Sequence, residues 1–360
     1  MGEQVGVGIV GCGNISQQYL ATLRRLPSLR LCAVSDLDRS LAEAVANTHD
    51  GVRAVGVEEL CGAAEVDVVL NLTVPAAHAS VALGAIAAGK HVYGEKPLAV
   101  TTQAAGDVLR AASTAGVRVG CAPDTVLGTG VQTARRAIDD GDIGTPIAAT
   151  ATMVTPGHER WHPNPDFYYA FGGGPLMDMG PYYLTALVTL LGPVASVIGA
   201  GSRTRGERVI GTGPRAGERV PVGVDTHVSG VLVHASGVLS TLVMSFDAVD
   251  THAAPIEVHG DAASLVVPDP NQFHGPVLHK ALGAAEWRTL PVSAGYRDAG
   301  RGYGLADMVG PDGRHRASGE LAYHVLDVME SLLRSAQTGQ AVTVASTCAR
   351  PDPVPLDLTP

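Results

Sequence analysis

Residues 5–16 have the sequence Val5-Gly-Val-Gly-Ile-Val-Gly-Cys-Gly-Asn-Ile-Ser16. The apolar residues up to Val10 predict a buried β-strand, and the residues after the glycine-rich turn predict a helix through Leu26. A strand, a tight turn and a helix at the start of the chain together indicate the first unit of a Rossmann domain.

The turn itself has the G-x-G-x-x-[G/A/S] spacing of a dinucleotide-binding loop, with Ser16 in the third glycine position. Gly11 permits the tight turn, and Gly13 lets the backbone approach a pyrophosphate. The N-terminus of the helix, with Asn14 and Ile15, is then expected to face the phosphates. A nicotinamide dinucleotide is therefore the predicted cofactor.

A second strand is predicted over Leu29–Val34, and it leads into Asp36. An acidic residue about 20 residues after the glycine loop binds the adenosine ribose hydroxyls and repels the 2′-phosphate of NADP. Asp36 thus favours NAD, while the nearby Arg39 leaves NADP possible. An alternative role for Asp36, compatible with the first, is to cap a helix that begins near Ser40.

The following segments complete a doubly wound half. Residues 66–74 form a near-continuous apolar run, which is typical of a strand buried on both faces, and Pro75 ends it. A helix to residue 88 and a strand at 91–93 follow, then a helix over 102–115 and a strand over 117–121. Side chains at and after the end of this run should line the carboxyl edge of the sheet, where ligands bind; they are Asn71, Thr73, Pro75 and His78, of which the last three are predicted to contact the cofactor.

After the strand at 91–93 the chain reads Gly94-Glu95-Lys96-Pro97. A lysine between a carboxylate and a proline, at the mouth of a parallel sheet, is an unusual place for a surface charge. The Lys96–Pro97 bond bends the chain and can fix the direction of the lysine side chain. The alternative is a solvated lysine in an ordinary turn.

Residues 1–122 are predicted to form an NAD(P)-binding Rossmann domain. Residues 123–360 are predicted to form an α+β domain for substrate binding and oligomerisation, with a large, mainly antiparallel open sheet. The predicted elements of this half are a helix over 130–140, strands over 228–234, 238–246, 256–258, 263–267 and 287–290, and a helix over 319–336. The proline-rich tail from Pro351 is predicted to be a surface strap.

Composition excludes several classes of protein. The net charge is −10 and no basic run exceeds two residues, which argues against nucleic-acid binding and docking on anionic lipid. No apolar run approaches the roughly 20 residues that cross a bilayer, and the N-terminus does not resemble a signal peptide. The five cysteines lack C-x-x-C spacing, as expected of buried thiols in a reducing cytoplasm.

His158-Glu-Arg-Trp-His162 has the H-E-x-x-H spacing of a zinc protease, which requires a helix. Prolines at 156, 163 and 165 argue against a helix there. The rings of this segment are better suited to a wall that faces carbohydrate, where they stack on sugar C–H faces and imidazoles bind hydroxyls; they are His158, Trp161, His162, Tyr168 and Tyr169. No metal is predicted.

The segment Gly172-Gly-Gly-Pro-Leu-Met-Asp-Met-Gly-Pro-Tyr182 leads into an apolar helix. Pro181 is expected near the helix start. Asp178 and Tyr182, four residues apart, are expected to project together into a cleft. Alternatively, Asp178 is a cap and Tyr182 a core ring.

Together, the N-terminal loop, Glu-Lys-Pro after a Gly-Lys-His-Val strand, and Gly-Gly-Gly-x-x-x-Asp-x-Gly-x-Tyr resemble the Gfo/Idh/MocA oxidoreductase family, from Val5 to the late helix. The resemblance implies that Lys96 is the catalytic lysine and that Asp178 orients the substrate. It also implies a homodimer or homotetramer formed through the open sheet. Inositol dehydrogenases of the family carry a histidine at the position of Tyr182. A tyrosine there is similar to glucose-fructose oxidoreductase and the dihydrodiol dehydrogenases. Asp124 stands where the family has Arg or Asn and is the predicted substrate contact there.

The sequence therefore predicts hydride transfer between nicotinamide C4 and a secondary hydroxyl or ketone of a sugar, glycoside or cyclitol. Glu95 and Lys96 border the cofactor, and either Tyr182 or Lys96 takes the hydroxyl proton. Three alternatives stay open: a non-catalytic sugar sensor that binds dinucleotide, a closed-cycle enzyme with a permanently held cofactor, and a zinc hydrolase.

Overall fold

The structure, a computed structural model, describes residues 4–310, 313–356 and 358–360. The chain forms two compact units. One comprises Met1–Leu127, Asp298–Tyr323 and Leu358–Pro360, and the other comprises Gly128–Arg297 and His324–Asp357. The domain boundary at residue 122 stays a prediction.

The first unit is built on a six-stranded sheet with the order β3-β2-β1-β4-β5-β6, in which every pair is parallel. This is the predicted Rossmann sheet, and the strand order reverses between β1 and β4. In open sheets of this type, ligands bind outside the carboxyl ends of the strands at such a reversal. The elements of this unit are β1 Val5–Val10, α1 Ser16–Leu23, β2 Leu29–Ser35, α2 Arg39–Ala46, β3 Arg53–Ala54, α3 Val57–Gly62, β4 Val68–Asn71, α4 Pro75–Ala87, β5 His91–Gly94, α5 Thr102–Ala115 and β6 Val119–Cys121.

Several elements of the first unit are shorter than predicted, and for two of them, β4 and α1, the local reason is clear. β4 ends at Asn71, because the Asn71 side-chain oxygen accepts the Thr73 N–H at 3.3 Å and its hydroxyl at 2.7 Å, which turns the chain before Pro75. α1 ends at Leu23 rather than Leu26, since Pro27 cannot continue a helix.

The second unit is built on a nine-stranded sheet with the order β16-β15-β14-β13-β7-β12-β11-β8-β17. All pairs are antiparallel except β7 with β12. The predicted mainly antiparallel sheet is confirmed. Its elements, with α9 of the first unit in chain order, are α6 Thr129–Asp139, β7 Pro146–Val154, α7 Asp166–Tyr169, α8 Pro175–Leu191, β8 Val194–Ser202, β9 Glu207–Val209, β10 Arg219–Pro221, β11 His227–His234, β12 Leu239–Ser245, β13 Ile256–Gly260, β14 Ala263–Val267, β15 Leu278–Ala281, β16 Arg288–Thr289, α9 Tyr303–Val309, α10 Gly319–Thr338 and β17 Val342–Thr343.

Helices α6, α8 and α10 pack on one face of this sheet, where the inward residues of β12 and β14 are buried. The other face carries exposed apolar side chains such as Ile198 and Leu239. The predicted strap after Pro351 is confirmed: Val354 is buried, and its N–H donates to Gln132 Oε1 of α6 at 2.9 Å.

The start of α8 differs from the prediction. The helix begins at Pro175, after Gly174 with a φ of 89°, and Pro181 lies inside it rather than at its start. Proline fits the first turn at residue 175 because the N–H it lacks has no intrahelical partner there. Asp178, not Pro181, is therefore the residue near the N-terminus of this helix.

Candidate active site

The glycine loop after β1 is shaped by its glycines. Gly11 has a φ of 100°, and a Cβ there would lie 2.6 Å from the Leu72 carbonyl carbon. Gly13 is exposed, with open space around the position of a Cβ. No side chain caps α1, whose first residue, Ser16, donates through Oγ to the Gly13 carbonyl at 2.7 Å. An open backbone cradle at a helix N-terminus fits a dinucleotide pyrophosphate.

Asp36 follows β2 and lies against this loop. Its Oδ2 accepts the Cys12 N–H at 2.6 Å, and its Oδ1 accepts the Asp38 N–H at 2.8 Å. The alternative role as a helix cap was wrong: Asp38 caps α2 by accepting the Ser40 N–H at 3.0 Å. The neighbouring Arg39 pairs with Glu43 at 2.8 Å. A carboxylate thus stands beside the loop, where the ribose hydroxyls are expected.

The backbone on both sides of Lys96 is held by buried groups. Glu95 Oε2 accepts the Lys96 N–H at 3.0 Å, and Glu95 Oε1 accepts the hydroxyl of Tyr19 at 2.8 Å. The ring of His78 faces the Pro97 carbonyl oxygen at 2.6 Å and that of Thr73 at 3.0 Å. The Lys96–Pro97 peptide is cis. Lys96 therefore projects, half-buried, from a fixed backbone at the carboxyl edge of the parallel sheet.

Asp124 is fully buried in the first unit. Its Oδ2 accepts the N–H groups of Gly302 at 2.8 Å and Gly304 at 3.0 Å, at the start of α9. Burial raises the pKa of this carboxyl to about 6. Asp124 therefore binds the backbone at the N-terminus of α9. A contact between Asp124 and the substrate stays a prediction.

In the second unit, His158 and Asp178 meet. The His158 Nε2 lies 3.0 Å from Asp178 Oδ2 in the first turn of α8, where the helix dipole favours a carboxylate. The other ring nitrogen of His158, Nδ1, is buried and has no hydrogen-bond partner among the described residues. With its proton on Nε2, the imidazole offers Nδ1 as an acceptor.

Tyr182 lies one turn after Asp178 on α8 and is largely buried. Residues four apart on a helix share a face, so the two side chains project in the same direction.

The aromatic wall continues outward from His158. The His158 ring centroid lies 4.6 Å from that of Tyr168 and 5.1 Å from that of Trp161. His162 extends the wall, with its ring centroid 5.4 Å from that of Trp161. Phe167, which was not predicted, lies 5.5 Å from His162. The prediction that Tyr169 belongs to the wall was wrong, because its side chain is fully buried and its hydroxyl donates to Glu159.

The H-E-x-x-H segment does not form the helix that a zinc site requires, as predicted. His158–Arg160 is a single 3-10 turn, and Glu159 points into the interior. Across the ranges the structure covers, no group of three or more His, Cys, Asp or Glu side chains is placed to hold a metal ion. Nor does any helix in those ranges have the length and apolar character needed to cross a membrane.

A buried ionic cluster lies behind the wall and was not predicted. Arg208 of β9 contacts Glu159 Oε1 at 3.2 Å and also pairs with Asp247, while its Cζ lies 5.3 Å from the ring centroid of Tyr169. Thr226 Oγ1 donates to Asp247 Oδ2 at 2.7 Å. We call these five residues the Arg208 cluster; it joins β9 to the segment that carries the wall.

Comparison with known proteins defines the class. Residues 5–122 match the model of an oxidoreductase family with an NAD-binding Rossmann fold, and residues 131–266 match the GFO/IDH/MocA C-terminal domain. The protein is therefore an NAD-binding oxidoreductase. Because the two matches cover more than half of the chain, it belongs to the GFO/IDH/MocA family, which confirms the resemblance and the predicted cofactor.

Individual relatives resemble this chain in sequence, and a solved structure resembles it in fold. The chain is 28% identical over 355 residues to 1,5-anhydro-D-fructose reductase of Ensifer adhaerens, covering 94% of this chain and 98% of the relative. It is 34% identical over 153 residues to inositol 2-dehydrogenase of Burkholderia lata, covering 39% of this chain and 43% of that one. An NAD binding oxidoreductase from Klebsiella pneumoniae superposes with a TM-score of 0.82 at 25% identity, covering 95% of this chain and 100% of that one.

Proposed function

We propose that the protein transfers hydride between nicotinamide C4 and a secondary hydroxyl or ketone of a sugar, glycoside or cyclitol. The observation that carries the proposal is the His158–Asp178 pair, 3.0 Å apart at the start of α8 and surrounded by aromatic rings. A partly exposed carboxylate held by an imidazole can bind a hydroxyl, and rings around it can stack on the C–H face of a sugar. The names of the relatives, a reductase of anhydrofructose and a dehydrogenase of inositol, support this substrate class.

Each site residue has a role that follows from its chemistry. Bound NAD supplies an acceptor for the hydride of a carbinol C–H bond. The carbinol hydroxyl must also lose a proton, and we assign its removal to Tyr182 or Lys96. The Lys96 ammonium stabilises negative charge on the reacting oxygen. Asp178, oriented by His158, accepts a hydrogen bond from a substrate hydroxyl and fixes which carbon reacts.

The cofactor is held by groups of the first unit. The open backbone at Gly13 and the N-terminus of α1 receive the pyrophosphate, and Asp36 receives the ribose hydroxyls. The loop residues after β4, Thr73 and Pro75, and the Glu95 backbone line the carboxyl edge of the sheet beyond them.

The direct test follows NADH formation by absorbance, with NAD⁺ and NADP⁺ supplied against free sugars, glycosides and inositols. Turnover of one polyol class with NAD⁺ is the expected result. Absence of turnover across the panel, from protein shown to be free of bound nucleotide, would contradict an oxidoreductase acting on these compounds.

Cofactor choice gives a prediction of its own. Asp36→Asn removes the negative charge and keeps an acceptor for the Cys12 N–H, so the loop is preserved. We expect kcat/KM with NAD⁺ to fall about 10- to 100-fold, as befits a hydrogen bond to a charged group, and kcat/KM with NADP⁺ to rise. The control is Asp38→Asn, since asparagine caps a helix as well as aspartate. Unchanged preference in Asp36→Asn would refute the role of Asp36.

We also propose that copies of the chain associate through the exposed face of the nine-stranded sheet, and that the protein is a homodimer or homotetramer. The exposed apolar side chains on this face support the proposal. The native mass of the purified protein tests it, and a monomer would exclude it.

A further inference from the structure

We propose that Trp161, His162 and Phe167 form an outer subsite for a second sugar ring, so that the preferred substrate is a disaccharide or a related two-ring glycoside. The reacting ring then lies at His158 and Asp178. This inference rests on the proposed function and narrows its substrate class.

The wall runs without interruption from a partly exposed carboxylate to solvent. It starts at Asp178, 3.0 Å from His158, and continues through the contact of 5.1 Å between the rings of His158 and Trp161. It ends at His162 and Phe167, whose centroids are 5.5 Å apart at an interplanar angle of 86°. His158 is 8% exposed, whereas Trp161 is 58% and Phe167 is 51% exposed. A single ring held at Asp178 would occupy the inner end of this wall and leave the outer rings uncovered.

The outer end combines ring faces with a hydrogen-bond donor. His162 Nδ1 accepts the Asn164 N–H at 3.1 Å, so the neutral imidazole carries its proton on Nε2. Burial lowers the pKa of His162, which keeps the ring neutral at neutral pH. A sugar ring has an apolar C–H face bordered by hydroxyls, and it can stack on Trp161 or Phe167 while a hydroxyl accepts this N–H. A purely apolar ligand would leave the imidazole N–H without a partner.

The outer rings are held on a rigid support. Glu159, between His158 and Trp161, is fixed by the buried Arg208 at 3.2 Å, and its carbonyl accepts the Gly211 N–H at 2.7 Å. α7, which carries Phe167, is anchored by the buried Tyr169, whose hydroxyl donates to Glu159 and whose carbonyl accepts the Gly223 N–H at 2.8 Å. Rings that are already ordered before a ligand arrives reduce the entropic cost of binding. Exposed rings on a fixed segment therefore support a ligand-binding site.

Fluorescence tests binding without requiring turnover. The chain has two tryptophans, Trp161 and Trp287. Trp287 is 39% exposed and stands just before β16. In Trp287→Phe, all tryptophan emission comes from Trp161. We expect cellobiose, maltose or lactose to change this emission with saturation, and glucose and methyl glucoside to leave it nearly unchanged.

Kinetics provides the second readout. Phe167→Ala is expected to lower kcat/KM for the two-ring substrate about 10-fold, which corresponds to about 1.4 kcal/mol, and to leave kcat/KM for a one-ring substrate unchanged. Trp161→Ala removes a ring that also contacts His158, so we expect it to lower kcat/KM for both substrates, and more for the two-ring substrate. The matched control is Phe171→Ala, since Phe171 is 83% exposed and follows α7 outside the ring contacts described above. Phenyl glucoside distinguishes a sugar from an aryl second ring: equal or stronger binding of the aryl compound would overturn the assignment to a sugar.

The outcomes separate this inference from the proposed function. Turnover of one-ring substrates with no emission change for any disaccharide overturns the outer subsite and leaves the oxidoreductase intact. Saturable emission change with disaccharides but no NADH formation supports the subsite and contradicts the oxidation reaction. Emission that depends on protein concentration and not on sugar overturns the subsite, because a second copy of the chain then covers the rings.

Discussion

Replacing Lys96 by methionine is expected to lower kcat about 100- to 10,000-fold, the range in which a positioned acid–base group contributes to catalysis. The affinity for NAD is expected to stay unchanged. Methionine keeps most of the length of the side chain and removes its charge and its proton. The measurement is kcat by NADH absorbance, together with the Kd for NADH by titration.

The contacts around Lys96 make this variant informative. The Lys96 backbone N–H donates to Glu95 Oε2, and His78 Nδ1 lies 2.6 Å from the Pro97 carbonyl oxygen. Neither of these two contacts uses the lysine side chain. The backbone should therefore keep its position in the variant. Near-full activity would remove Lys96 from the mechanism.

Lys90 offers a matched control at the opposite end of the same strand. It precedes β5 and donates through Nζ to the Ala63 carbonyl at 2.9 Å, whereas Lys96 follows β5. Lys90→Met is expected to retain kcat. Tyr182→Phe, measured across pH beside Lys96→Met, assigns the proton: a protonated base cannot take the hydroxyl proton, so the variant that loses the acidic limb of the kcat profile lacks the base.

The first unit was largely predictable because its determinants are local. Each determinant lies at the end of a strand. The glycine loop follows β1, Asn71 ends β4, and the Glu95-Lys96-Pro97 segment follows β5. Carboxyl ends of parallel strands share one edge, so their positions in the sequence imply their positions in space. The sequence alone did not decide which aspartate caps α2, since Asp36 and Asp38 both precede this helix.

The second unit was less predictable for two physical reasons. β8, Val194–Ser202, contains Ala and Gly where a half-buried strand usually alternates large apolar and polar residues, so it was missed. The Arg208 cluster joins residues that are 39 and 49 positions apart from Arg208, and no local pattern links them. Glu159 was interpreted only as part of H-E-x-x-H, and that local motif does not indicate its buried partner Arg208.

The Arg208 cluster leads to the second large prediction. Arg208 is almost completely buried between Glu159 and Asp247. Arg208→Met would leave the buried Glu159 and the largely buried side chain of Asp247 without their cation, and breaking a buried pair in this way costs about 3 to 5 kcal/mol. We expect the free energy of unfolding to fall by that amount in urea denaturation. The control is Arg219→Met on the adjacent β10, whose pair with Glu207 is exposed and should contribute little.

A triple variant separates lost charge balance from lost packing. Arg208→Met combined with Glu159→Gln and Asp247→Asn removes every charge of the cluster at similar side-chain volume. Replacing a whole buried ionic group costs much less than breaking it, so we expect much of the lost stability to return. If Arg208→Met is as stable as the wild type, the cluster does not support the wall. If the triple variant regains stability but has a higher KM than the wild type, charge in the cluster also fixes the orientation of His158 toward Asp178, because Glu159 is the next residue in the chain.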